Sequence, residues 1–252
     1  MGDRAAAVIP ARLGATRLPN KPLLDLAGEP MIRRVYERAR AAASLSDVLV
    51  ATPDREILEA VAAFGGKAVL TSPMHRTGTD RVAEAAQALP SDVTVIVNVQ
   101  GDEPLLDPAT LDAAARALLD DPALVMASLM CPLPEGREND PNVVKVVCDQ
   151  AGFALYFSRS PLPYRRSPDA PYAPARQHVG LYAYRRDFLQ TLTRLAATPL
   201  EQAESLEQLR ALEHGYRIRM VETDRAPESV DTPEDLERVR RILAPTANKE
   251  TK

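Results

Sequence analysis

The segment 93–99, Val-Thr-Val-Ile-Val-Asn-Val, restricts the fold more than any other stretch of the chain. Its apolar run hardly alternates, and such a strand is covered on both faces, as in a parallel sheet held between two helix layers. Strand-like and helix-like segments alternate ahead of it. Residues 5–9 read as a buried strand, 31–42 as a helix with apolar residues at helical spacing, and 47–51 as the next strand. Asp54 can cap a helix running to Phe64, where Gly65-Gly66 ends it. A strand at 67–70 and a helix at 80–89 follow, and 108–119 predicts another helix. Beyond that the pattern loosens, with strands at 124–130, 143–147, 154–157 and 178–184. Helices at 204–213 and 233–243 flank a strand at 217–222. The proline-rich stretch 160–176 reads either as an exposed loop or as a segment that covers substrate. No repeat and no linker splits the chain. Residues 1–244 read as a single domain, a three-layer α/β fold with a β-rich lobe inserted at roughly 124–185, and 245–252 as a disordered tail.

Composition narrows the partners. Apolar residues make up 45% and charged residues 26%, as in ordinary globular proteins. Aromatics are only 4% with no Trp, which argues against a base-stacking platform. The net charge of -4 supplies no general field for a polyanion, so no nucleic-acid partner is expected and phosphate binding needs a local basic cluster. Cys131 and Cys148 lack neighbouring histidines at ligand spacing and read as buried, reduced thiols. The apolar run 5–9 stops at Pro10, too short for a signal peptide, and no 18-residue apolar segment follows. A cytoplasmic protein without membrane partners is the expectation.

Three places carry candidate chemistry. The turn after the first strand, Pro10 to Pro22, lacks the spaced glycines of a dinucleotide loop and the Gly-Lys-Ser/Thr of a P-loop. It offers Arg12, Arg17 and Lys21 instead, which suit a triphosphate by forked and point-charge contacts, although three solvated cations would read the same way. In open α/β sheets ligands sit beyond the carboxyl ends of the strands. Asp102, in Gln100-Gly101-Asp102-Glu103-Pro104, closes the strongest strand and would face that turn. Mg²⁺ favours one or two carboxylates together with phosphate oxygens and water. The third place is Val230-Asp231-Thr232-Pro233, where Asp231 or Thr232 caps a helix. A metal role for Asp231 requires the fold to bring it beside Asp102.

Taken in order, VIPARLGATRLPNKPL, GEPMI, HRTGTDR, VNVQGDEP, NVVKVV, ALYFSRSPLPY, HVGLYAYRRDFL, LEQLRALEHG and VDTPEDLERVR resemble the 3-deoxy-manno-octulosonate cytidylyltransferases, or CMP-KDO synthetases, from about Ala6 to Arg240. The Thr16-Arg17-Leu18-Pro19 continuation distinguishes this branch from the related sialic-acid enzymes. The resemblance implies a Rossmann-like nucleotidyltransferase fold with a mixed, mostly parallel sheet, and a homodimer whose lobe serves sugar binding and dimerisation. It implies CTP and an acidic sugar as substrates and Mg²⁺ as cofactor, in lipopolysaccharide biosynthesis. Ala11, Arg12, Arg17, Lys21, Gly78 and Thr79 match nucleotide-binding positions, and Asp102 and Asp231 match the metal pair. Arg12, Lys21 and Asp102 would carry the catalytic charge. Arg81, Gln100, Arg159, His178, Tyr182, Glu207 and Gln208 match the neighbourhood of the sugar.

Departures from the family pattern are Ala15 in place of Ser and Asn20 in place of Gly; Asn20 must then take the backbone angles the glycine allowed. The expected reaction is attack of the sugar's anomeric hydroxyl on the α-phosphorus of CTP, driven by positioning and charge neutralisation. Arg159 or Arg81 would meet the sugar carboxylate, and His178 would contact a hydroxyl; His75 and His214 read as structural or exposed. On a continuous helix, Glu204 and Gln208 would share a face, with Glu207 turned away. Three alternatives stay open: a cytidylyltransferase for 8-amino-KDO or sialic acid, a non-catalytic nucleotide-binding protein, and, most distantly, an oxidoreductase.

Overall fold

The structure is a computed structural model and describes residues 3–14, 18–164, 166–167, 176–224 and 226–244. Strand β1 (Arg4–Pro10) leads through a tight 3-10 turn at Lys21–Leu23 into a small hairpin, β2 (Asp25–Leu26) and β3 (Glu29–Pro30), and then helix α1 (Met31–Arg40). Strand β4 (Leu45–Thr52), α2 (Arg55–Ala63), β5 (Ala68–Leu70), α3 (Gly78–Ala86), β6 (Val93–Asn98) and α4 (Pro108–Leu119) complete the regular half. Next come β7 (Met126–Pro132), β8 (Lys145–Cys148), β9 (Ala154–Ser158) and β10 (Arg176–Arg185). Helices α5 (Arg186–Leu192), α6 (Pro199–Glu204) and α7 (Gln208–Glu213), strand β11 (Arg219–Glu222) and helix α8 (Pro233–Leu243) finish the described chain.

Among the described residues the main sheet runs β11-β7-β10-β6-β1-β4-β5. Along that path only β10 runs antiparallel to its neighbours, so the sheet is mixed and mostly parallel. The unbroken apolarity of β1 and β6 has a simple cause. Ala5, Ala7 and Ile9 pack under α1, α2 and α4, whereas Ala6 and Val8 pack under α3, α5 and α7. Each face is sealed by helices, giving three layers. From β1 the chain builds outward through β4 and β5, then crosses back to place β6 on the other side of β1. The carboxyl ends of β1 and β6 therefore frame a topological switch point, where open α/β sheets bind ligands.

A separate small cluster of Leu18, Leu26, Met31, Val230, Leu236 and Val239 clamps α8 onto the β2–β3 hairpin. Burying each such side chain contributes roughly 1.5–3 kcal/mol. Arg240 Nε adds a hydrogen bond to the Asp25 carbonyl at 2.9 Å. This clamp carries the end of the chain back to the switch point.

Several expected features differ. The lobe expected at 124–185 shrinks, because β7 and β10 belong to the central sheet and only β8 and β9 leave its path. Helix α3 starts earlier than position 80, since Thr77 and Asp80 form a reciprocal cap. The helix expected at 204–213 is two helices: Ser205 takes a left-handed conformation (φ 52°) and ends α6. Helix α5, which the sequence reading passed over, packs Phe188, Leu189 and Leu192 into the core. Cys131 is buried and Cys148 half-buried, and both are free thiols. The expected tail, 245–252, and most of the proline-rich stretch lie outside the described residues.

Candidate active site

Two loops meet at the switch point. Ala11 donates its amide to the Ala51 carbonyl at 2.9 Å, and Val99 donates to Val8 at 3.1 Å, so both turns leave the sheet in fixed directions. A Cβ on Gly101 would lie 2.9 Å from the Pro10 carbonyl oxygen. Only a glycine lets the turn carrying Asp102 approach the turn carrying Arg12 this closely. Asn20 occupies the left-handed region (φ 55°), the backbone demand expected from the glycine that the resembled family carries there, and sets the 3-10 turn bearing Lys21. Arg17 lies outside the described residues.

The two carboxylates converge. Lys21 Nζ lies 2.7 Å from Asp102 Oδ2 and 3.1 Å from Asp231 Oδ1. Val230 donates its amide to the Asp102 carbonyl at 2.9 Å, which stitches the segment before α8 to the turn after β6. Thr232, rather than Asp231, caps α8 together with Asp235. Lys21 was expected on the triphosphate; here it compensates two neighbouring acids that would otherwise repel one another. Glu103 lies beneath them, 7% exposed, with Oε2 buried and without a hydrogen-bond partner among the described residues. Burial, reinforced by Asp102 and Asp231, pushes its carboxyl up to about 8. The sequence reading passed over Glu103 because nothing in a linear motif separates a surface acid from one tucked under its neighbours.

Two cavities adjoin at Pro10, Gly78 and Gln100. The smaller, about 160 Å³, is lined by Ala11 and by the basic side chains of Arg12, His75, Arg76 and Arg81. Arg81 is 4% exposed and donates to Thr71 Oγ1 at 2.6 Å and the Ser72 carbonyl at 3.2 Å. The larger, about 270 Å³, takes Thr79, Asn98, Tyr182, Tyr184, Glu207 and Gln208. Burial raises the Glu207 carboxyl, opposed by the Thr79 hydroxyl and Arg210. The break at Ser205 turns both Glu207 and Gln208 toward this cavity, contrary to the continuous-helix expectation. Arg76, Asn98 and Tyr184 are further lining residues; Arg76 and Asn98 sit inside HRTGTDR and VNVQGDEP, so their segments were legible but their orientations were not.

Two expected sugar contacts stand elsewhere. Arg159 donates Nε to the Glu204 carbonyl at 2.8 Å, Nη1 to Pro141 at 2.8 Å and Nη2 to Ser205 at 3.4 Å. It satisfies carbonyls orphaned at the end of α6 and lines neither cavity. Glu204, in turn, accepts from Ser158 Oγ at 2.5 Å and from the Arg159 amide at 2.9 Å. His178 is 8% exposed and lies behind the larger cavity, its ring centroid 5.6 Å from that of Tyr182. Burial pushes it down to about 3, so the ring is neutral. His75 meets Glu84, and His214 contacts the Ala196 carbonyl at 3.2 Å.

A basic turn facing paired acids at the switch point, beside a polar cavity, is the arrangement of an α/β nucleotidyltransferase. A family model described as cytidylyltransferase matches residues 6–218. The 3-deoxy-manno-octulosonate cytidylyltransferase of Syntrophotalea carbinolica is 53% identical, over 92% of this chain and 96% of the relative. The one from Solibacter usitatus is 50% identical over 96% of each. A solved structure of CMP:2-keto-3-deoxy-manno-octonic acid synthetase complexed with CTP superposes with a TM-score of 0.91 at 46% identity, covering 96% of this chain and 99% of that one. The chain belongs to the 3-deoxy-manno-octulosonate cytidylyltransferase family.

Proposed function

We infer that this protein transfers CMP from CTP to the anomeric hydroxyl of 3-deoxy-D-manno-octulosonate. The anomeric oxygen forms a bond to the α-phosphorus, the bond from that phosphorus to the β-phosphate oxygen breaks, pyrophosphate leaves, and the hydroxyl proton passes to solvent. The observation that carries this reading is the adjacency of a cation-lined cavity and a polar cavity that share Pro10, Gly78 and Gln100, two residues before the Asp102 that meets Asp231 across Lys21.

The residues fit a magnesium ion. The Lys21 ammonium already marks a cation position shared by both carboxylates, and two hard oxygen donors plus phosphate oxygens suit Mg²⁺. Among the described residues no group of three or more His, Cys, Asp or Glu side chains is placed to hold a metal. When bound, the ion would supply Lewis-acid charge neutralisation at the α-phosphate.

Arg12 neutralises the phosphates and the departing pyrophosphate, and Lys21 joins it only on leaving Asp102 and Asp231. Among the described residues no cation lines the larger cavity, so the sugar's carboxylate is met at its border, where Arg81 lies. Glu207, Gln208 and Gln100 hold the sugar hydroxyls. On the family resemblance the reading extends to a homodimer acting in the cytoplasm in lipopolysaccharide biosynthesis. No helix among the described residues is long and apolar enough to cross a membrane.

The test is pyrophosphate release with CTP, UTP, ATP and GTP, each against KDO and sialic acid. Turnover with CTP and KDO is expected. Equal rates with another nucleotide, or faster turnover of sialic acid, would overturn the assignment.

A further inference from the structure

The larger cavity is backed by an irregularity in β10. Val179 pairs with Leu129 and Tyr182 with Ser128, so Gly180 and Leu181 are extra residues on the bulged strand. Their carbonyls leave the ladder and are met by side chains. Gln100 Nε2 donates to Gly180 at 3.2 Å. Ser128 Oγ lies 3.0 Å from the Leu181 carbonyl, 3.3 Å from that of Val179 and 2.9 Å from His178 Nε2.

A serine hydroxyl has one proton. Were it aimed at the ring, both the Leu181 and the Val179 carbonyl would face Ser128 Oγ with no hydrogen between; aimed at Leu181, it serves the nearer of the two. The proton therefore goes to the carbonyl, and His178 Nε2–H donates to Oγ. A neutral ring protonated at Nε2 leaves Nδ1 as an acceptor. Gln208 Nε2 lies 3.5 Å from Nδ1, at the outer limit of a hydrogen bond, and supplies the matching donor. Its amide oxygen then faces the cavity. Gln100 is fixed the same way, since a carbonyl partner can accept only from its NH₂ end. Asn98 Oδ1, in a side chain 3% exposed at the same cavity, has no hydrogen-bond partner among the described residues.

We propose that Ser128 is a positioning residue which, through the ring of His178, sets the polarity of the Gln208 amide so that the cavity presents hydrogen-bond acceptors and selects hydroxyl donors. This rests on the reading that the larger cavity takes the sugar. A ligand hydroxyl can satisfy each acceptor, whereas a deoxy or O-methylated analogue leaves a buried oxygen unpaired.

The first test needs no substrate and no variant. Long-range proton–nitrogen correlation on isotope-labelled histidine distinguishes the two neutral tautomers. His178 is recognised by cross-relaxation with the rings of Phe157 and Tyr182, whose centroids lie 4.8 and 5.6 Å from its own. The Nε2–H tautomer is expected, and Nδ1–H would overturn the proposal. The second test is kinetic. Ser128→Ala should raise KM for KDO about tenfold, the effect of one well-made hydrogen bond, while KM for CTP stays within about twofold. An unchanged KM for KDO, or a parallel rise in both, would overturn it. Failure of the wild-type chain to use KDO would instead sink the functional reading, with the tautomer still deciding the amide's polarity.

Discussion

Gly101→Ala perturbs the closest approach in the site. The added Cβ would stand 2.9 Å from the Pro10 carbonyl oxygen, a backbone atom that cannot rotate away. Ordinary contact begins near 3.4 Å, so the two turns must separate by about half an ångström. Overpacking of this kind costs roughly 1–3 kcal/mol. In a chain of 252 residues that corresponds to a fall in Tm of roughly 2–6 °C. The separation acts between the turn that carries Arg12 and the turn that carries Asp102, and a misplacement of about 1 Å costs on the order of a hundredfold in rate. Half that displacement predicts about a tenfold loss of kcat/KM. Calorimetry and pyrophosphate release read the two effects. For the Tm arm, Gly180→Ala is the packing control, since among the described residues no atom lies within 4 Å of its would-be Cβ. A Gly101→Ala protein with wild-type Tm and turnover would refute the close-approach reasoning.

Other outcomes follow from the same geometry. Arg159→Met should lower stability by about 1–3 kcal/mol in urea unfolding, because carbonyls at the end of α6 lose their donors; unchanged stability would return Arg159 to a purely substrate-facing role. His178 is depressed to about 3 from an unfolded value near 6.5, so the folded state excludes a proton that the unfolded state binds between those values. Stability from this group is complete above about pH 6.5 and falls by about 1.4 kcal/mol per pH unit as pH drops toward 3. Comparing wild type with His178→Gln by urea unfolding at a series of pH values should show the variant's acid slope shallower by one proton. Equal slopes would mean that the ring titrates normally.

Much of this fold is written in local pattern. The seamless apolarity of β6 announced a sheet covered on both faces, and the cap ahead of Pro233 placed the start of α8 correctly. What escaped was decided by tertiary geometry. No periodicity shows that Ser205 turns left-handed and redirects Glu207, or that β7 and β10 join the main sheet instead of a lobe. At the site, motif spacing located Asp102 and Asp231, but their meeting depends on α8 being clamped by Leu18, Leu26 and Val239, far away in sequence. Glu103 and Ser128 have no signal in a single sequence, since their importance lies in what covers them.

The central claim is that Asp102 and Asp231 hold one divalent cation between them. A double-mutant cycle on magnesium affinity in the presence of CTP, using Asp102→Asn, Asp231→Asn and the double variant, tests it most directly. If both carboxylates serve a single ion, each replacement alone should weaken binding nearly as much as the pair together. Strictly additive losses, or wild-type turnover that persists in chelator, would contradict it.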